Sequence, residues 1–249
     1  ALLQQMSLSF WLFGSGTAPN IWGSAAATRT LLGVRNSIAG AGSRQNSFWF
    51  QARPGQGTTL EWGITDDPDA IVVCGRMPSP EVYVWNHYIL VYDGLGVANN
   101  DRCKIFFNGL PSSSITSFVG TIPAQLFTSS QKFFIGSQDG GGGALGQSLM
   151  INNLGIYNVA ITGSDALAHY SSSARGIGPV DLRNITGNTN LIHYFQNFGV
   201  SSSVTILEDK IRNFPGIDPM DLQGRPTSPN YFTSACGPPS GVSRINPWG

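Results

Sequence analysis

Charge is what this chain has least of. Of 249 residues, 14 are basic and 14 acidic, so 11% are charged and the formal net charge is zero, against roughly 25% charged in ordinary soluble domains. A neutral, charge-poor surface sets up no field to steer nucleic acid or anionic membranes. It also solubilises poorly, which suits a protein packed in an assembly. Carboxylates are thin even within that total: the only glutamates are Glu61, Glu81 and Glu208, and none has an acid two residues away on its own strand. A glycosidase needs two carboxylates flanking one bond, and alternation along a strand is the simplest way to place them on one face. Histidine is as scarce. His87, His169 and His193 stand in no Gly-x-Ser-x-Gly or Cys-His signature.

Cysteine is also rare. Cys74, Cys103 and Cys236 make an odd, widely spaced set, which argues against zinc and against a disulfide framework and for buried thiols. No apolar run approaches the ~20 residues of a membrane helix. The N-terminus shows no basic region followed by an apolar core, so no secretory signal is expected. Ala1 fits removal of an initiator Met, and the expectation is synthesis in the cytoplasm.

What is abundant is strand and turn chemistry. Hydrophobic residues make up 41%, with 31 glycines and 15 prolines. The densest stretch is Val82–Gly109. Here VYVWNHYILVYDG and CKIFFNG are two β-branched and aromatic runs, each ending in a turn dipeptide. Both faces of the first run are largely apolar, which predicts an interior strand covered on both sides. Further strands are expected at 6–13, 28–35, 47–52, 58–64, 70–75, 117–121, 132–136, 148–157, 191–198 and 204–207. Spacings of about ten residues point to a sandwich or jelly roll. Residues 58–64 alternate Leu60, Trp62 and Ile64 with Glu61 and Gly63, which reads as a half-exposed strand with Glu61 outward. One helix is expected at Thr162–Tyr170, with Asp165 in a capping-box position. Beyond Pro215 the chain is proline-punctuated and reads as an extended arm. Gly140–Gly143 lacks a following Gly-Lys-Ser/Thr and reads as a turn.

Taken in order, these runs resemble the laminin-G-like, concanavalin-A-like jelly-roll family, over about residues 6–170. SLSFWLF is similar to the family's "sfTisaWv" strand, and VWNHYILVYDG with CKIFFNG to its "W-x-H-v-a-v-t-y-d-G … l-y-v-n-G" pair. KFFIGSQ resembles "l-x-i-G", and SLMINNLGIYNVAITGSDALAHY the closing strand and short helix. Asn153 stands where the family has an Asp, and Asn86 replaces its first His. At the matching position, the resemblance implies a packed, structural role for His87. The family's opening strand is missing before Met6, and similar text appears at Asn190–Asn197. That segment is therefore expected to lie beside the strand at 151–157, in this chain or in a neighbour.

The fold expected is all-β: a two-sheet concanavalin-A-like jelly-roll sandwich over 1–172 with one short helix, and a C-terminal extension over 173–249. The resemblance implies candidate calcium ligands in the only carboxylate cluster, Asp66, Asp67 and Asp69, because rim aspartates bind calcium in several family members and hard oxygens suit that ion; the alternative is a turn. No other cofactor is expected. Trp22 and Trp49 are candidate aromatics for stacking on a glycan or meeting another subunit, weighed against core packing. Domains of this family occur in phage virions. The functional expectation is therefore a non-enzymatic structural protein of a virus or phage particle, a capsid decoration (cement) or appendage protein. Its partners would be subunits of the same particle, in a homo-oligomer, with no nucleic acid and no membrane. The alternative is a lectin-like module that recognises glycans.

Overall fold

The computed structural model describes residues 2–14, 29–34, 48–53, 59–66, 70–78, 81, 83–112, 120–127, 134–135, 149–171, 181–185, 188–195, 206–207 and 220–221. In chain order the strands are β1 (Leu2–Leu3), β2 (Gln5–Gly14), β3 (Arg29–Val34), β4 (Phe48–Arg53), β5 (Thr59–Asp66), β6 (Ala70–Pro78) and β7 (Trp85–Asp93). After a single helical turn, α1 (Asn99–Arg102), come β8 (Cys103–Phe107), β9 (Leu110–Pro111), β10 (Leu126–Phe127), β11 (Phe134–Ile135) and β12 (Leu149–Tyr157). The helix α2 (Gly163–Ser171) follows, then β13 (Leu191–Phe195), β14 (Ile206–Leu207) and β15 (Met220–Asp221).

Two antiparallel sheets face each other: β11-β3-β4-β5-β6, and β13-β12-β2-β7-β8-β9. Alternation decides which side chains lie between them. From β2, Leu8, Phe10 and Leu12 point inward, from β7 Tyr88, Leu90 and Tyr92, and from β5 Leu60, Trp62 and Ile64. Phe10 ties the layers together, with its ring 5.4 Å edge-on to Phe50 of the opposite sheet and 5.7 Å stacked on Tyr88. Such aromatic pairs add about 0.5–1.5 kcal/mol each beyond the area they bury.

The six-stranded sheet is covered on its other face as well. Ile89 and Val91 of β7 pack with Phe106, Tyr157, Ala166 of α2, and Leu182, Ile185, Leu191 and Tyr194. β7 is thus buried on both sides between β2 and β8, as its two apolar faces required. Asn108 and Gly109, at φ +49° and +79°, make the two-residue turn from β8 to β9 that an Asn-Gly dipeptide favours.

Several expectations need correcting. The strand expected from Val82 starts at Trp85, because Tyr83 and Val84 form a bend after the Pro78–Pro80 stretch. Gly120 and Thr121, expected to end a strand, lie in none. Residues 191–195 and 206–207 do not pair with each other. β13 joins β12 of the same chain, with Leu154 opposite Phe195 and Ile156 opposite His193, whereas β14 joins β15. β15 also falls within the proline-rich tail that showed no periodicity. Most of that tail, with Gly140–Gly143, lies outside the described residues.

Candidate functional site

Among the described residues, four places bring chemistry-bearing side chains together. The first is beneath α2. On the outward side of β2, Ser7 and Ser9 interrupt an otherwise apolar surface, and both are fully buried. Ser7 Oγ donates to the Val159 carbonyl (2.7 Å) and accepts from the Ile161 amide (2.9 Å), which fixes the approach to α2. Ser9 Oγ lies 2.9 Å from His87 Nε2 and 3.1 Å from His169 Nδ1. Among the described residues His87 Nδ1 has no hydrogen-bond partner. A bare lone pair is tolerated there better than an orphaned N–H. His87 Nε2 therefore donates to Ser9, and Ser9 donates to His169. Burial holds the His87 imidazole well below its usual range, with His169 adding to the effect. Burial also takes His169 down to about 4, against a smaller opposite pull from Asp165.

A serine between two imidazoles has the parts of a nucleophile and base. All three groups are nevertheless sealed from solvent, and no carboxylate orients His87 from Nδ1. The arrangement fastens α2 to the sheet.

The second place is the outward face of the five-stranded sheet. Gln51, Glu61 and Arg76 stand side by side across β4, β5 and β6. Gln51 Nε2 donates to Glu61 Oε1 at 3.0 Å, and Arg76 Nε donates to Oε2 at 2.8 Å. Glu61 is 2% exposed, so the reading of it as an outward carboxylate on a half-exposed strand is corrected. A buried carboxylate persists only when paired and hydrogen-bonded, and here a cation and an amide satisfy it.

The third place is the rim at the Asp93 end of β7. Arg102 directs its guanidinium to the carbonyls of Gly96 (2.8 Å) and Ile122 (2.5 Å). Asn99 bridges the Gly120 carbonyl and the Ile122 amide. Asp93 Oδ1 accepts from Gln5 Nε2 and the Leu95 amide. Carbonyls that could serve a hard cation are here taken by a guanidinium. Among the described residues no cluster of three metal-ligating side chains forms. Asp66 ends β5 opposite Ala70, while Asp67 and Asp69 lie outside the described residues.

The fourth place is the opposite rim, at the Trp85 end of β7. Tyr83 is 63% exposed and sits at φ +62°, an outlier conformation for a bulky residue. Its amide donates to the Gly14 carbonyl at 2.6 Å, which holds the ring out at the end of β2. Val84 beside it is also exposed. Asn86 Nδ2 donates to the Val84 carbonyl, and Asn108 Nδ2 donates to Asn86 Oδ1 at 3.3 Å. Asn108 opens the β8–β9 turn. Next come Gly109, which packs against Leu167 and Tyr170 of α2, and exposed Leu110. Phe13 and Trp85 lie beneath, with ring centroids 5.2 Å apart, and Trp11 stacks on Tyr170 at 5.9 Å. Among the described residues the result is a rim of one exposed aromatic, three exposed aliphatic side chains (Val84, Leu110 and Leu167) and the half-buried Asn108 amide, fixed by buried Asn86.

Of the candidate tryptophans, Trp49 does not stand there. Trp49 is 2% exposed in β4, between the inward-facing Phe48 and Phe50, so its ring has no solvent face. Trp22 lies outside the described residues. Tyr83 was missed because Val82–Val84 has strand composition; the signal was the proline pair just before it.

No family model matches the chain, and no curated protein matches it. Solved structures do. The chain is similar to a proposed carbohydrate-binding protein from Bacteroides ovatus ATCC 8483, with a TM-score of 0.51 and 14% identity over 85% of this chain and 50% of that one. It is also similar to the enzymatically active domain of tailspike protein 2 of bacteriophage CBA120 (TM-score 0.47, 13% identity, 77% of this chain and 26% of that one). A third is a heptameric SAP-like pentraxin from Limulus polyphemus (TM-score 0.42, 18% identity, 71% and 73%). The chain spans half the length of the first of these. At such identities the likeness is one of fold: a two-sheet jelly-roll sandwich.

Proposed function

We propose that this chain is a non-enzymatic recognition module that binds carbohydrate at the Tyr83 rim. The observation that carries this reading is Tyr83 itself. A tyrosine held outward by an anchored, left-handed backbone costs about 1–2 kcal/mol, and strain of this kind concentrates at binding sites. Its ring is an apolar platform with a polar tip. At the edge of this apolar patch half-buried Asn108, held by the His87 amide and by buried Asn86, supplies a directional side-chain N–H, the usual composition of a small-ligand site. The sandwich shared with the Bacteroides ovatus protein, itself a proposed carbohydrate binder, supports the same ligand class. The test is a glycan array probed with the native chain and with Tyr83→Ala. Binding that falls at least tenfold in the variant, with its melting temperature kept, supports the reading. Equal binding by both chains, or no glycan bound by either, would refute it.

A second reading is supported by composition. With 11% charged residues, the surface suits a structural protein of a virus or phage particle, a capsid decoration or appendage protein that docks through its C-terminal arm to subunits of the same particle. The two readings are compatible, since a module displayed on a particle can touch surface glycans.

A further inference from the structure

Cys74 and Cys103 belong to different sheets, and both are reduced and buried. β6 is the edge strand of the five-stranded sheet and β8 lies one strand from the edge of the other. On this side the sandwich narrows, with Cα atoms of β6 and β8 within 8 Å. Facing sheets normally stand about 10 Å apart. A β-bulge aims the first thiol: Trp62 pairs with Gly75 and Gly63 with Val73, so Cys74 is the extra residue. Such a bulge re-aims a side chain, and here it turns Cys74 into the core that holds Cys103. Both thiols lie in that one cluster.

We infer that Cys74 and Cys103 form a latent cross-link site, at which a disulfide joins the two sheets when the chain folds in the presence of a disulfide oxidant. The narrowed gap approaches the Cα separation below about 7 Å that a disulfide needs. With oxidised glutathione as the oxidant, one cysteine thiolate attacks the glutathione disulfide and releases one glutathione thiol. The second cysteine thiolate then displaces the other, forming the S–S bond. Two protons leave the cysteines, and the oxidant takes up the two electrons as two glutathione thiols. In the folded chain, burial pushes the Cys103 thiol up, and the neighbouring Cys74 adds to the effect. Thiolate is therefore scarce once the core has closed. Exchange belongs to the folding stage, while the strands are still open to the oxidant.

The experiment uses the full chain carrying Cys236→Ala, refolded from urea with either oxidised glutathione or a reductant. The expected product of oxidative refolding is a soluble, folded chain that shows no free thiol in denaturant. Its digest contains one peptide pair joined through Cys74 and Cys103. It melts about 5–10 °C above the reduced form, as expected for closing a loop of about 30 residues, and reductant reverses the shift. A chain carrying both Cys103→Ala and Cys236→Ala melts at one temperature under both conditions. Two free thiols after oxidative refolding overturn the inference. So does a joined chain that melts below the reduced one.

Discussion

His87, Ser9 and His169 show what a few polar atoms can decide in a core. Both imidazoles are held below their usual range by burial, so both are neutral in the folded chain at pH 7. The unfolded chain takes up protons near the ordinary histidine value of about 6.5, where the folded chain does not. Stability is therefore fully present above about pH 6.5 and is lost as the pH falls toward 4. His169 alone accounts for on the order of 3 kcal/mol across that window. Urea midpoints measured between pH 4 and pH 8 are expected to fall steeply below 6.5, and His169→Gln is expected to flatten part of that fall. A midpoint that stays constant to pH 4.5 would contradict the assignment of neutral imidazoles. Glu61 teaches the complementary lesson. Alternation placed it correctly on the face away from Leu60, Trp62 and Ile64. What alternation could not show was that Gln51 and Arg76 stand in register to receive it, because register between strands is a tertiary property.

At the scale of elements, the strands were legible wherever β-branched and aromatic residues alternate. β2, β4, β5, β7, β8 and β12 lie within two or three residues of expectation, and the capped helix lies within one. Thr162 and Asp165 account for that helix, since the Asp165 carboxylate accepts from both the amide and the hydroxyl of Thr162. Bulges were not legible. In β12 the pairing with β2 slips between Asn152 and Gly155, and Asn153 takes φ +55°, which Asn tolerates better than most residues. Its Oδ1 accepts from Tyr194 Oη at 2.5 Å, so the bulge holds β13 to β12. Asn153→Ala removes the acceptor and strains the backbone, and should cost about 1–3 kcal/mol. Tyr194→Phe should cost less. Chemical denaturation of the two variants checks the order, and an equal or reversed ranking would show that Asn153 does not act through this bond.

At the scale of the molecule, the sandwich has a third layer on one side, and part of it comes from the C-terminal segment. Leu182, Ile185, Leu191 and Tyr194 bury the outward faces of Ile89, Val91 and Tyr157, and Phe195 reaches the main core. A chain ended at residue 172 would expose those faces and leave β12 as a bare edge. Such a chain is expected to lose cooperative unfolding or to self-associate, as measured by calorimetry and sedimentation. A monomer that melts within 2–3 °C of the full chain, a span worth only about 1 kcal/mol at this size, would show instead that residues 1–172 suffice. The expectation that residues 190–197 lie beside 151–157 is met by β13 beside β12. The binding rim was less legible. It is assembled from the end of β2, the entry to β7, the β8–β9 turn and α2, which are far apart in the chain and share no motif.

The most direct test of the recognition account is to map where a bound carbohydrate lies. Hydrogen exchange of the full chain, with and without an oligosaccharide chosen from the array, should show added protection at residues 83–86, 108–110 and 167–170. No change is expected at 93–102. Protection confined to the Asp93 rim or to Asp66–Asp69, with the Tyr83 rim unchanged, would contradict it.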